Sequence, residues 1–568
     1  NILNSMGHLD IPSSAPTSSQ LEPSKPAPSY RNTQALPAQL LDHCTVCLEE
    51  QLYSQAIPLL SSAITAGNGT LKPAYVPPAP HLSLLATLVV HPSMTTRTTS
   101  QEKHSAANDS LRYLRHLNAL TAADASGLTK ALQFREANSS RSKRARTRHS
   151  GDISSDDEHE DPGRIRSSYA ERDSLFAKAE DFWAVVGWAL NCSVAHKNRW
   201  DRWRLWLEFV LDVLEDDLDA RHRQAREVPQ DRDELLGKSL LAHYLAPFVD
   251  QGRNPKRRIM RAILADGTQP SLNQFPSVFT NETLPPKVKQ ETKLGAKRSL
   301  DLDQGEFGDY FDSDSDSNTT PGPQQKSSRT STRHSNTNLS RQDSPASPST
   351  PQPPTLSTSM TTTPLSTHGG TGSLTLRLRL LALLTTLSSL CPPLFLDPED
   401  LFDLYTEFLR PLPLPIFSFF LLPKLTTTTT SQGRGRTIDA NSLASLIQML
   451  LRPLLSSAAP VSNANSLTAE RFATHFAPFA ANVSNLGENA RVGVCVEGLL
   501  RLLWTEGVLG NASEEARRGV KDAVEEGIRA REEKAAGDGR KKSAGKSAEE
   551  WRVLVAGGER MRGLLELI

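Results

Sequence analysis

Cysteine is scarce in this chain: five among 568 residues, at Cys44, Cys47, Cys192, Cys391 and Cys495. So few, and an odd number, argue against a secreted disulfide framework and fit a reducing compartment. An excess of one charge is missing too. Lys and Arg total 64 and Asp and Glu total 64, so the global basic surplus typical of a nucleic-acid binder is absent, although local patches remain. The N-terminus has no basic stretch followed by an apolar one, so no signal peptide is expected. Long hydrophobic runs are also lacking. Leu374–Leu390 contains Arg377 and Arg379, and Leu412–Leu422 holds two prolines. A membrane span needs roughly 20 apolar residues, so both runs are expected to be buried helices, with no membrane partner.

Recognisable chemistry is sparse. The sequence carries no glycine-rich phosphate loop, nucleophile elbow, HExxH pair or deaminase zinc set. No catalytic residue or cofactor is therefore assigned. The HCTVC stretch, His43–Cys47, lacks the second pair of ligands that a zinc site requires. Cys44 and Cys47 fall three apart on an amphipathic pattern, where buried thiols pack well, and no metal is expected.

What is present is helical periodicity broken by polar tracts. Residues 1–34 are rich in Pro and Ser and are expected to be a disordered tail. Residues 35–135 alternate apolar helical spacing with Gly67, Pro77, Pro78 and Pro80, as in a succession of helix hairpins. Residues 136–168 form a linker, first basic and then acidic. Helical spacing returns over 169–262, with a basic turn at 253–261. Residues 263–372 are expected to be a disordered insertion: in Asp312–Gly372, 35 of 61 residues are Ser, Thr or Pro. Residues 373–568 are helical again, with flexible loops near 424–440 and 535–548. Asp397–Pro398 is a helix start, Pro411 a stop, and Gly507 closes another helix. Strand patterns are almost absent. The expected fold is all-α, an irregular helical-hairpin or α-solenoid-like body with long disordered insertions.

The polar tracts hold modification-type motifs. Arg141, Lys143, Arg144, Arg146 and Arg148 form a basic cluster of the nuclear-import kind. Ser154 and Ser155 stand three residues before Asp157 and Glu158, the spacing that acid-directed kinases use. Ser344, Ser347, Thr350 and Thr363 each precede proline. Lys289, in Val-Lys-Gln-Glu, has the form of a SUMO acceptor. Together these describe a regulated nuclear protein.

One stretch stands apart. Arg199–Asp219 holds three of the seven tryptophans and seven acids. At about 100° per residue, Trp200, Trp203, Leu207, Val210, Leu211, Leu214 and Leu218 share one face, widened by Trp206, Phe209 and Val213. The preceding segment adds Trp183 and Trp188. Trp183, Trp188, Trp200, Trp203, Leu207, Val210 and Leu214 are thus expected to be structural core rather than a base-stacking surface. The rival reading pairs tryptophan stacking with Arg199, Arg202 and Arg204 on phosphate, but the acids would repel the backbone. Asp201, Glu208, Asp212, Glu215 and Asp219 form an acidic stripe expected to face solvent, where a basic partner could dock.

The function expected from these features is a non-enzymatic nuclear scaffold or adaptor, assembling protein partners on a chromosome-associated or similar complex and regulated by phosphorylation. The alternative is a nucleic-acid-associated regulator using basic loops at 141–148, 253–261 and 540–546. An enzyme without a recognisable motif is the third reading.

Overall fold

The computed structural model describes residues 30–70, 72–134, 164–249, 251–286, 364–423, 435–460, 467–537 and 544–567. Helices dominate them, and the only strands among them are β1 (Thr33–Ala35) and β2 (Ala74–Val76), paired in parallel. The all-α expectation holds.

Helix boundaries follow local chemistry. Asp181, Asp439, Asn485 and Ser513 each accept a hydrogen bond from the backbone N–H three residues on, opening the helices Phe182–Ala195, Ala440–Leu451, Leu486–Thr505 and Glu514–Ala536. Such caps satisfy amides that have no partner within the helix. Gly507, at φ +68°, ends the Leu486–Thr505 helix in the left-handed conformation that glycine adopts most easily.

Two helices act as hubs. Lys197–Glu227 carries the tryptophan stretch and packs on Phe182–Ala195, Ala79–Val90, Gln101–Leu120 and Leu240–Val249. Leu486–Thr505 is buried along most of its length between Ala440–Leu451, Glu514–Ala536 and Ala544–Glu566. Glu497, on that second hub, is fully buried and receives Arg501 at 2.6 Å and Arg560 at 2.7 Å. The last helix is thereby tied to the hub by an ion pair as well as by Met561, Leu564 and Leu565.

Gly370–Leu390 packs on the first hub and, through Leu414–Leu421, connects to the second. Its length and composition would let it cross a membrane, yet its apolar residues and both its arginines are buried within this body. Arg377 donates to the carbonyls of Ile263 at 2.7 Å and Ala265 at 2.8 Å. One main hydrophobic core results, running from Leu36 to Leu565, beside a small second cluster of Leu414, Ala490, Ala535 and Leu554.

Several expected boundaries move. Tyr30–Gln34 belong to the fold rather than to a tail: Arg31 donates to the carbonyls of Ile64 at 2.7 Å and Ala66 at 2.8 Å, and β1 follows. Residues 263–286 are packed, with Phe275, Phe279 and Glu282 buried, and 364–372 lead into the Gly370–Leu390 helix. Gly187 has no side chain because the Phe275 ring occupies that space, where a Cβ would overlap it. Of the loop expected at 535–548, residues 535–536 and 544–548 are helix, where Glu514–Ala536 and Ala544–Glu566 extend into it from both sides, and 538–543 lie outside the described residues. Alanine and lysine there favour helix despite the nearby glycines.

Candidate functional site

The tryptophan expectation is met in position. Trp183, Trp203, Leu207, Val210 and Leu214 are completely buried, and Trp188 and Trp200 nearly so. Phe182 stacks on Tyr244 with centroids 4.3 Å apart, and Trp203 meets Trp206 edge to face at 5.9 Å. No base could reach these rings.

At the centre of this apolar cluster lies an ion pair that the sequence did not announce. Glu282 is buried and accepts hydrogen bonds from Trp188 Nε1, from Trp203 Nε1 at 3.2 Å and from the Phe279 amide at 3.1 Å. Arg199 approaches it at 3.4 Å, donates to the Val90 carbonyl at 2.7 Å and to Thr95 Oγ1 at 3.1 Å, and lies 5.5 Å from the Trp203 ring centroid. Arg199 is therefore no phosphate contact; it is core. Arg202 bonds Asn108 Oδ1 at 2.6 Å, and Arg204 bonds Glu208 at 2.9 Å. A buried charge is tolerated only when it is paired and hydrogen-bonded, and both residues meet that condition. The missed signal was Phe275, Phe279 and Glu282 in a Pro- and Asn-containing stretch that resembles loop.

Most of the acidic stripe is paired within the chain, although only Glu215 is buried and Asp219 is exposed. Arg379, from the Gly370–Leu390 helix, forks onto Glu215 at 2.8 and 3.0 Å and reaches Asp212 at 2.7 Å. Burial works against the Arg379 charge, but the Glu215 and Asp212 carboxylates more than offset it and hold its pKa above the ordinary value. Arg436 pairs with Asp219, donates its amide to Glu215 at 3.2 Å and reaches Thr386 Oγ1 at 3.1 Å. Glu208 takes Arg115 at 3.3 Å as well as Arg204. Asp201 stays exposed. The basic partner of the stripe is thus this chain itself, and Arg436, from the loop expected to be flexible near 424–440, is part of the clasp. Two further acids of the same helix are also engaged. Asp216 accepts from Asn118 at 2.7 Å, and Asp217 from the Leu240 amide at 2.8 Å and Arg221 at 3.0 Å.

Cys44 and Cys47 are buried on the Ala38–Glu49 helix, with Cys47 Sγ 3.9 Å from His43 Nε2. All five cysteines are free and buried. Among the described residues no group of His, Cys, Asp and Glu is arranged to hold a metal. The basic turn expected at 253–261 is a helix, Arg253–Ile263. There Arg257 bonds Glu407 at 3.0 Å, and Arg258 bonds Asp181 at 2.7 Å and Glu180 at 3.1 Å.

The import cluster Arg141–Arg148, the phosphorylation candidates Ser154, Ser155, Ser344, Ser347, Thr350 and Thr363, and the SUMO candidate Lys289 all lie outside the described residues. No protein-family model matches this chain, and a search of curated proteins finds no relative.

Proposed function

We propose that the protein is a non-enzymatic nuclear scaffold that assembles protein partners on a chromosome-associated or similar nuclear complex. The observation that supports it is the one main core that unites distant segments. Segments from Leu36 to Leu565 pack into one body, while the polar sequences 135–163, 287–363 and 424–434 lie outside the described residues. Long polar insertions between packed segments add little loop-closure cost, which grows only slowly with length. They can therefore carry import and modification motifs without disturbing the core. Phosphorylation of Ser154, Ser155, Ser344, Ser347, Thr350 or Thr363 then alters partner choice by adding charge to these segments.

The nucleic-acid alternative relies on basic loops, and one of the three is committed elsewhere. Arg253 and Arg257 face Glu407, and Arg258 faces Glu180 and Asp181. That observation weighs toward protein partners. The test is localisation of the tagged full chain with Arg141, Lys143, Arg144, Arg146 and Arg148 intact or replaced by Gln. Nuclear accumulation lost on replacement is the expected result. A protein that stays cytoplasmic with the cluster intact overturns the reading.

A further inference from the structure

A cavity of about 300 Å³ opens at the end of the Ala440–Leu451 helix, lined among others by Gln448, Arg452, Leu455, Pro460, His475 and Phe476. The turn that forms its rim is fixed in place. Ser456 donates its amide to the Ala480 carbonyl at 3.1 Å, Asn482 donates to Leu454 at 2.7 Å, and Leu455 bridges Ala481.

Gln448, Arg452 and His475 bring nitrogen groups to it, beside the hydroxyls of Ser456 and Ser457. Gln448 is only 7% exposed, yet its Nε2 has no hydrogen-bond partner among the described residues. An amide left so costs free energy unless something accepts from it. Arg452, on the rim, forms no ion pair among the described residues. Arg471 lies close by, 5.9 Å from the centroid of the Phe476 ring that walls the cavity. Burial first, and then the charge of Arg452, lower the Arg471 pKa. Thr474 Oγ1 engages His475 Nδ1 at 2.7 Å. Among the described residues no Asp or Glu lines the cavity. The Arg452 guanidinium, an imidazole and an unsatisfied amide donor, with no acid among the described residues that line the cavity, are the chemistry of an anion site. The other wall is apolar, made by Leu455, Pro460 and Phe476.

We propose that this cavity binds a phosphate monoester carried on a peptide. Arg452 supplies the charge and Gln448 Nε2 a buried hydrogen bond, while Leu455, Pro460 and Phe476 pack the residue after the phosphorylated one. A phosphorylated serine or threonine brings about −1.5 to −2 charges and three acceptor oxygens, which suits this donor set better than a carboxylate with a single charge. The inference stands apart from the nuclear reading, because it depends only on the cavity.

The test uses the full chain, dephosphorylated. The probe is a fluorescent peptide of residues 339–350 phosphorylated at Ser344, compared with the unphosphorylated peptide, a Ser344→Asp peptide and inorganic phosphate. The phosphopeptide is expected to bind at least about ten-fold more tightly than either other peptide, as loss of charge-assisted hydrogen bonds implies. Arg452→Gln is expected to remove about ten-fold of that affinity, Gln448→Leu to weaken it, and Arg452→Lys to restore part of it. Arg452 is exposed, so unchanged circular dichroism is expected to certify folding of its variants. Equal binding of all three peptides, or full affinity in folded Arg452→Gln, overturns the proposal. Binding of inorganic phosphate with no preference for the phosphopeptide overturns the peptide assignment.

Discussion

Arg379 grips Glu215 through two parallel hydrogen bonds, Nε to Oε1 at 2.8 Å and Nη2 to Oε2 at 3.0 Å, across 164 positions of sequence. The pair joins the tryptophan helix to the helix that follows the longest insertion. Arg379→Met removes the cation and leaves the buried Glu215 and the half-buried Asp212 without it. Breaking such a pair costs about 3–5 kcal/mol, whereas replacing both partners with apolar residues is far milder. Denaturant midpoints are expected to fall sharply for Arg379→Met and to recover in Arg379→Met/Glu215→Leu. A double variant no better than the single one counts against the clasp.

The tryptophan cluster gives the second prediction. Trp203 is fully buried and donates to Glu282, so Trp203→Ala is expected to cost ~3–5 kcal/mol. Glu282→Ala deprives Arg199 of its only carboxylate contact among the described residues and is expected to destabilise comparably. Hydrogen exchange should show loss of protection in both Phe182–Ala195 and Lys197–Glu227. A Trp203→Ala protein with full stability and a lost partner shows instead that the ring is a binding element.

Arg377 gives the third. It is completely buried, and its guanidinium faces backbone carbonyls, with no carboxylate hydrogen-bonded to it among the described residues. Burial lowers its pKa to about 9. Arg377→Met leaves the Ile263 and Ala265 carbonyls unsatisfied, at about 1–3 kcal/mol each. Since those carbonyls end the Arg253–Ile263 helix, the expected readout is faster proteolysis after residue 263. Unchanged proteolysis and stability contradict the assignment.

Acid should loosen the fold. His81, His91 and His368 each have a pKa lowered to about 4, with burial the largest cause. Unfolded histidine titrates near 6.5. Between about pH 6.5 and 4 the unfolded chain binds protons that the folded one refuses, so stability rises with pH across that window and is fully present above it. Melting temperatures are expected to fall from pH 7 to pH 5. NMR titration showing His81 protonated above pH 6 in the folded protein contradicts this account.

Much of the helical architecture was legible because periodicity and punctuation agree locally. The Asp397–Pro398 start and the Gly507 stop stand where expected, and the apolar face of Arg199–Asp219 is the buried one. What was not legible is pairing over distance. Arg379 was read as a break in an apolar run, although two arginines in such a helix have to find buried partners. Asp212 and Glu215 looked solvated, because a stripe on a helical wheel does not reveal which helix covers it. Phe275, Phe279 and Glu282 sit in a stretch without periodicity, so nothing local marked them as core. Arg31 likewise anchors its segment through carbonyls that sequence spacing cannot show.

The central claim is that the protein works by holding protein partners. Its most direct test is affinity purification of the tagged full chain from nuclear extract, with and without nuclease, followed by identification of what is retained. The account predicts the same set of protein partners in both arms. A partner set that disappears with nuclease, with nucleic acid recovered from the untreated arm, contradicts it.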